Sequence, residues 1–266
     1  MREVLSVPPS RWQEAQACES SGWVKKNRRN WFGKVVEKFL KALVLNPRLF
    51  LQYVRFRDYY RGDDWNFWWM DHFEHYAALP KKMERALEVG CGPYTNMRLI
   101  SKLCDIEEIH CADPLIGAYC SFRWTWLARQ AAQNGVILSA DAGEQLHYAD
   151  GHFDLVVCIN VLDHVQDAAR CLAEAARVTK PGGFLVLGQD LSDSADIKRR
   201  RAGYDAGRPI CVRHATLEAL LDPLYAACLR KVLPREAGRA PDSHYGTYLL
   251  IGQKRGADAP DCGEGS

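Results

Sequence analysis

The stretch Leu87-Glu88-Val89-Gly90-Cys91-Gly92-Pro93-Tyr94-Thr95 constrains the fold of this chain more than any other. Residues 83–89 form a short apolar pulse (Met83, Ala86, Leu87, Val89), and two glycines separated by one residue break it. Residues 96–103 then read as a helix that Thr95 or Asn96 can cap. Strand, tight glycine turn and helix start make a cofactor-binding corner, because glycine lets the backbone pass close to a ligand without a Cβ clash. A dinucleotide fingerprint would read G-x-G-x-x-G. Here Thr95 stands where the third glycine would be, and the acidic Glu88 precedes the first glycine by two.

From Lys82 onward the chain alternates strand and helix signals. Residues 106–111 read as a second strand ending in Ala112-Asp113-Pro114. Asp113 lies 23 residues beyond Gly90, where a nucleotide-binding fold places a carboxylate on the ribose hydroxyls. Residues 116–133 predict one helix, stopped by Asn134-Gly135, and residues 136–140 a third strand followed by Asp141-Ala142. Residues 153–160 are a continuous apolar run suited to the buried centre of a parallel sheet. Asp167 can cap a helix over 168–179, Lys180-Pro181-Gly182-Gly183 stops it, and residues 184–188 predict the fifth strand. A helix over 214–221 and strands over 225–233 and 246–254 complete the pattern.

These pieces together, over residues 82–190, resemble class I S-adenosylmethionine-dependent methyltransferases of the type 11 kind. Leu87-Glu88-Val89-Gly90-Cys91-Gly92 is similar to their first motif, Cys111-Ala112-Asp113-Pro114 to the acidic end of their second strand, and Ser139-Ala140-Asp141-Ala142 to their adenine-contacting motif. Phe153-Asp154-Leu155-Val156-Val157 through Val161-Leu162-Asp163-His164-Val165 resembles their fourth-strand motif, and Arg177-Val178-Thr179-Lys180-Pro181-Gly182-Gly183 the turn that follows. The resemblance implies an α/β fold: a Rossmann-like, doubly wound, mostly parallel seven-stranded sheet with an antiparallel edge hairpin. It implies S-adenosylmethionine as cofactor, with Gly90, Cys91 and Gly92 under its methionyl end, Glu88 orienting that loop or its amino group, Asp113 and Pro114 at the ribose, Asp141 and Ala142 at the adenine, and Asn160 close by.

Residues 1–82 do not read as part of that core. A helical pattern over 31–56, broken at Asn46-Pro47, is followed by the Arg61-Gly62-Asp63-Asp64 turn and the aromatic run Trp65-Asn66-Phe67-Trp68-Trp69. Six of the eight tryptophans fall in the first 70 residues, so the segment is expected to pack helices onto the main domain, to cover an acceptor, or both. The domain reading is a helical, aromatic-rich extension over 1–82, a methyltransferase domain over 83–255 and a disordered tail over 256–266. Residues 1–85 carry 16 Lys/Arg against 10 Asp/Glu and the remainder 19 against 23, so the formal charge of +2 forces no nucleic-acid or membrane partner. The ten cysteines are scattered singly without C-x-x-C, which suits reduced thiols, and no leader or membrane span is evident; a cytoplasmic protein is expected.

Methyl transfer from a sulfonium needs donor and acceptor held collinear and water excluded; a base helps only where the acceptor must lose a proton. His164, after the fourth strand, and His244, in the Arg239–Tyr245 segment, are the candidate bases. His72 and His75 share helical spacing but read as a packed pair, and no metal set is recognisable. Lys198-Arg199-Arg200-Arg201 reads as a solvated basic loop. The function expected is metal-independent transfer to a small-molecule or glycan O or N acceptor. An NAD(P)-dependent oxidoreductase and a non-catalytic S-adenosylmethionine-binding protein are the alternatives.

Overall fold

A computed structural model describes residues 4–28, 65–122, 125–192, 206–241 and 244–256. The expected helical stretch over 31–56, the turn at 61–64, the basic run at 198–201 and the tail from 257 lie outside the described residues. Seven strands form one sheet: β1 (Lys82–Val89), β2 (Asp105–Ala112), β3 (Ile137–Ser139), β4 (Phe153–Ile159), β5 (Thr179–Leu191), β6 (Tyr225–Pro234) and β7 (Gly246–Lys254). Their order is β3-β2-β1-β4-β5-β7-β6. The β1–β2, β1–β4, β2–β3 and β4–β5 pairings are parallel, and β7 runs antiparallel to both β5 and β6. The strand order reverses beside β1, so a crevice opens above the carboxyl ends of β1 and β4 where ligands bind in such sheets.

Alternation along the central strands fills the two faces. Leu155, Val157 and Ile159 of β4 join one core cluster with helices α2 (Trp65–His72), α3 (Met97–Leu103), α4 (Ile116–Cys120) and α5 (Trp126–Ala132). Val156 and Cys158 join the other with α6 (Ala168–Val178) and α7 (His214–Leu221). Both faces of β4 are therefore covered, which is why its sequence is a continuous apolar run.

Two expected elements differ in detail. The single helix over 116–133 is two helices, because Thr125 caps a new one: its Oγ1 accepts the Ala128 N–H at 3.2 Å. The fifth strand starts at Thr179 rather than 184. Phe153 pairs with Thr179 and Leu155 with Phe184, so residues 180–183 bulge out between two paired stretches, with Gly182 at φ +73°.

The aromatic segment is packing material in part. Phe67, Trp69, Met70, Phe73 and Tyr76 are all buried. Trp69 lies so close to Gly188 of β5 that a Cβ there would sit 2.7 Å from the ring. His72 stacks on Trp68 with centroids 3.8 Å apart and its Nδ1 lies 2.8 Å from the Trp68 carbonyl oxygen, while His75 faces Asp71 at 3.6 Å. The nine described cysteines are free thiols. Among the described residues no helix is long and apolar enough to cross a membrane.

The N-terminus straps onto the crevice side of the sheet. Val4 bridges Cys211 and Ser6 bridges Asp167, after which α1 (Pro9–Arg28) runs across the top. Trp12 Nε1 and Gln16 Nε2 both donate to the His164 carbonyl, at 3.1 and 3.3 Å.

Candidate active site

The turn after β1 is built from below by Glu88. Its carboxylate, 1% exposed, accepts the Asn96 N–H at 3.0 Å, the Asn96 side-chain amide at 2.9 Å, the Met97 N–H at 3.2 Å and the Thr95 hydroxyl. Burial raises its pKa, and those four donors pull it back. The anion thus supplies the acceptors that the first turn of α3 lacks. Glu88 is accordingly engaged beneath the loop and does not line the crevice.

Above it Gly90 and Gly92 take φ values of +64° and +56°. A Cβ on Gly90 would lie 2.6 Å from Val161, whereas one on Gly92 would meet nothing within 4 Å. Gly90 therefore closes the turn against β4, and Gly92 leaves open the floor of a cavity of about 460 Å³. Cys91, Asp113, Pro114 and Asn160 line the same cavity. Asp113 is fixed by the Gly92 N–H at 3.0 Å and the Leu115 N–H at 2.8 Å. Its burial raises the pKa to about 7, with the two N–H groups pulling down and the Glu19 charge adding to the rise. Asn160 sits at φ +58°, and its buried side-chain oxygen has no hydrogen-bond partner among the described residues.

Asp141 and Ala142 are placed differently. Neither lines the cavity, and the wall there comes from Gly143 and Glu144. The Asp141 carboxylate is engaged by the ring and the N–H of His147. Glu144 in turn accepts the Gln166 and Asp167 N–H groups, holding the start of α6 against the cavity.

His164 lines the cavity at its far end, between Glu19 of α1 at 3.2 Å and Asp163 at 3.8 Å. Burial pulls the imidazole down, but those two carboxylates outweigh it and hold the pKa at about 9. Asp163, buried beside His164 and Arg208, is held at about 2. His244 does not line the cavity. It sits behind Arg208, whose Nη1 is 2.8 Å from its Nε2, and burial first, then the Arg208 and Arg239 charges, lower it to about 4. Arg239 is paired with the fully buried Asp190 and lies 5.7 Å over the Trp69 ring. Opposite charges thus alternate from Glu19 through His164 and Asp163 to Arg208, with the neutral His244 between Arg208 and the Asp190–Arg239 pair; of these groups Glu19, His164, Arg208 and Arg239 line the cavity.

Asn66 and Trp69, from the aromatic run expected to pack or to cover an acceptor, line the cavity; sequence reasoning missed Trp12, Gln16, Glu19 and Trp23 of α1, together with Arg208 and Arg239, which line it too. The tryptophan excess before residue 70 was the one signal for them; nothing in the sequence pairs Glu19 with a histidine 145 positions away.

Residues 87–187 match the model of a methyltransferase domain family. The chain carries a class I S-adenosylmethionine-dependent methyltransferase domain. Norajmaline N-methyltransferase of Rauvolfia serpentina is 31% identical over 136 residues, which are 46% of this chain and 42% of that protein. Thiol S-methyltransferase TMT1A of Homo sapiens is 36% identical over 111 residues, 40% of this chain and 42% of that protein. The chain spans less than half the length of these curated relatives. The N-methyltransferase NodS of Bradyrhizobium japonicum WM9, in complex with S-adenosyl-L-homocysteine, shares the fold of this methyltransferase domain with a TM-score of 0.51 at 17% identity, over 72% of this chain and 86% of that one. The open glycine floor, the buried Asp113 carboxylate and the unpartnered Asn160 oxygen fit S-adenosylmethionine, the cofactor that the resemblance to class I methyltransferases implies.

Proposed function

We propose that this chain transfers the methyl group of S-adenosylmethionine to a small-molecule nitrogen or sulfur nucleophile, without a metal and without a protein base. Bound S-adenosylmethionine supplies a methyl group on a sulfonium whose departure leaves a neutral thioether. The residues of the chain bind and orient. Gly92 would admit the methionyl end, the Asn160 oxygen would accept from its ammonium, and the Asp113 carboxylate would accept from the two ribose hydroxyls. Asp141 and Ala142 would meet the adenine by motif position alone, because the cavity wall there is Gly143 and Glu144 and the Asp141 carboxylate is held by His147. Trp12, Trp23 and Trp69 exclude water from the line of displacement.

One observation carries the choice of acceptor. The histidine at the acceptor end, His164, is an imidazolium at neutral pH because Glu19 and Asp163 hold its pKa at about 9. It already carries the proton that a base would have to take. His244 is behind the wall, Asp113 is occupied by ribose, and Glu144 is committed to two backbone N–H groups. A hydroxyl acceptor would find no group to deprotonate it, whereas a free-base amine or a thiolate, having lost its proton to solvent, carries the lone pair that attacks. The relatives named for N- and S-methylation agree with this division. The metal-free reading rests on ligand chemistry: among the described residues, the one cluster of three potential ligands lies away from the cavity.

The test is transfer from labelled S-adenosylmethionine to matched amine, thiol and alcohol acceptors and to a host-cell extract. Label on amines or thiols, with a rate that follows the acceptor's own ionisation, is expected. Label on alcohols with a rate limb that His164→Asn abolishes would overturn the base-free reading. Binding of S-adenosylhomocysteine with no labelled product from any source would leave a non-catalytic binder in its place.

A further inference from the structure

Glu108 and His110 occupy the same face of β2 two residues apart, and the turn before β4 brings His152 over them. The potential ligand atoms of these three residues all lie within 4.8 Å of one another. We propose that Glu108, His110 and His152 form a binding site for a divalent transition-metal ion, of which zinc is the best match, separate from the cofactor cavity. None of the three lines that cavity, so this site stands or falls independently of the methyl-transfer reading.

The geometry has the parts that a two-histidine, one-carboxylate centre needs. His110 Nε2 points at Glu108 Oε1, 2.7 Å away, and the His110 side chain is 6% exposed. Its other nitrogen, Nδ1, lies 3.2 Å from the Tyr148 hydroxyl. In the metal-free chain Nε2–H donates to Glu108 and Nδ1 accepts from the Tyr148 hydroxyl; a metal at Nε2 would take the place of that proton, and the Tyr148 oxygen can then accept from Nδ1–H, the tautomer that ligation requires. His152 is held in place by Tyr148, on which it stacks at 5.8 Å, and by Phe153, which meets it edge-on at 4.8 Å. Zinc bonds of ~2.0–2.1 Å put tetrahedral ligand atoms about 3.3 Å apart. Glu108 is 46% exposed and His152 half-buried, so the small closing movement falls on side chains free to make it. Solvent supplies the fourth position.

Neutral imidazole is the form that binds metal. Arg85 and, more weakly, Lys180 are the cations acting on His152 and oppose an incoming ion, which gives the site its own signature: removing the Arg85 charge strengthens it. A bound ion ties β2 to the turn ahead of β4, two segments separated in the sheet by β1.

Cobalt(II) and zinc titrations of the full chain, freed of metal with chelator, test this. One Co²⁺ per chain is expected, with a visible d–d band and no thiolate charge-transfer band, displaced by Zn²⁺. Tyr148→Phe should weaken Zn²⁺ binding by roughly 10–100-fold, the usual effect of losing an outer-shell partner. Glu108→Gln and His152→Ala should each cost at least that much, and Arg85→Gln should tighten binding several-fold. Glu108→Gln alters a half-exposed side chain, so it decides the matter if either other variant folds poorly. Absence of one-to-one binding, a thiolate band, or unchanged affinity in Glu108→Gln and His152→Ala would overturn the proposal.

Discussion

Glu88 holds Asn96 twice, accepting its backbone N–H at 3.0 Å and its side-chain amide at 2.9 Å. One residue near the end of β1 thereby fixes where α3 begins. The Gly90-Cys91-Gly92 turn is the chain strung between those two fixed points, so its path over the cofactor site follows from the pair.

Glu88→Ala takes the acceptor away from the buried Asn96 N–H, the Asn96 side-chain amide and the Thr95 hydroxyl, while the Met97 N–H keeps Thr95 Oγ1 at 3.1 Å. Each such orphan costs about 1–3 kcal/mol, so a loss of about 3 kcal/mol in unfolding free energy is expected. Glu88→Gln, which keeps the shape but turns a donor toward donors, should lose about half of that. Chemical denaturation of the two variants checks both values, and an unchanged midpoint for Glu88→Ala would contradict the scaffold role.

Affinity for S-adenosylhomocysteine should rise with pH through about 7. The ribose hydroxyls donate to an ionised Asp113, and burial has raised that carboxyl to about 7 in the free protein. Below its pKa each pH unit weakens binding by up to about tenfold, so affinity at pH 6 should be roughly tenfold below that at pH 8. Asp113→Asn should flatten this dependence.

The Glu19–His164 pair clamps α1 over the cavity with a defined pH window. The His164 pKa of about 9 lies above the ordinary 6.5, so its stabilisation is complete below about 6.5 and is lost as pH rises through about 9. Glu19 works in the other direction. Burial raises it, the His164 charge outweighs that, and its net lowered pKa gives a contribution present above 4.5 and lost as pH falls through the folded value. The ceiling from His164 is about 3 kcal/mol. Unfolding midpoints at about pH 6, 8 and 10 should decline across the series in wild type and decline much less in Glu19→Gln.

Gly188→Ala places a methyl group 2.7 Å from the Trp69 ring. The strand cannot retreat, because Gly188 also accepts the Asn160 N–H at 2.6 Å, so α2 must shift. A loss of about 1–3 kcal/mol is expected. Tryptophan fluorescence should report the displaced ring, and a variant as stable as wild type would show that α2 is only loosely set on the sheet.

What the sequence made legible was local chemistry repeated along the chain. The apolar run of β4, the glycine corner, Asp113 and the paired edge strands each announce themselves within a few residues, and the seven-stranded sheet was implied by the family resemblance they carry, while the strand order comes from the structure. The split at Thr125 was also local, a threonine three residues before Ala128, but a continuous apolar stripe obscured it. The cavity's far wall was not legible. Glu19, Arg208 and Arg239 reach it from segments whose positions depend on tertiary docking, and the ion pairs that set the charge of His164 join residues far apart in the chain. His164 was found by its place after β4; its protonation could not be, because it depends on Glu19.

The most direct measurement is calorimetric titration of wild type and Asp113→Ala with S-adenosylhomocysteine, with NADH as the control. One-to-one binding to wild type, weakened by roughly 1–3 kcal/mol in Asp113→Ala, with no NADH binding, is the expected result. Tight NADH binding without binding of S-adenosylhomocysteine, or an Asp113→Ala affinity equal to wild type, would contradict it.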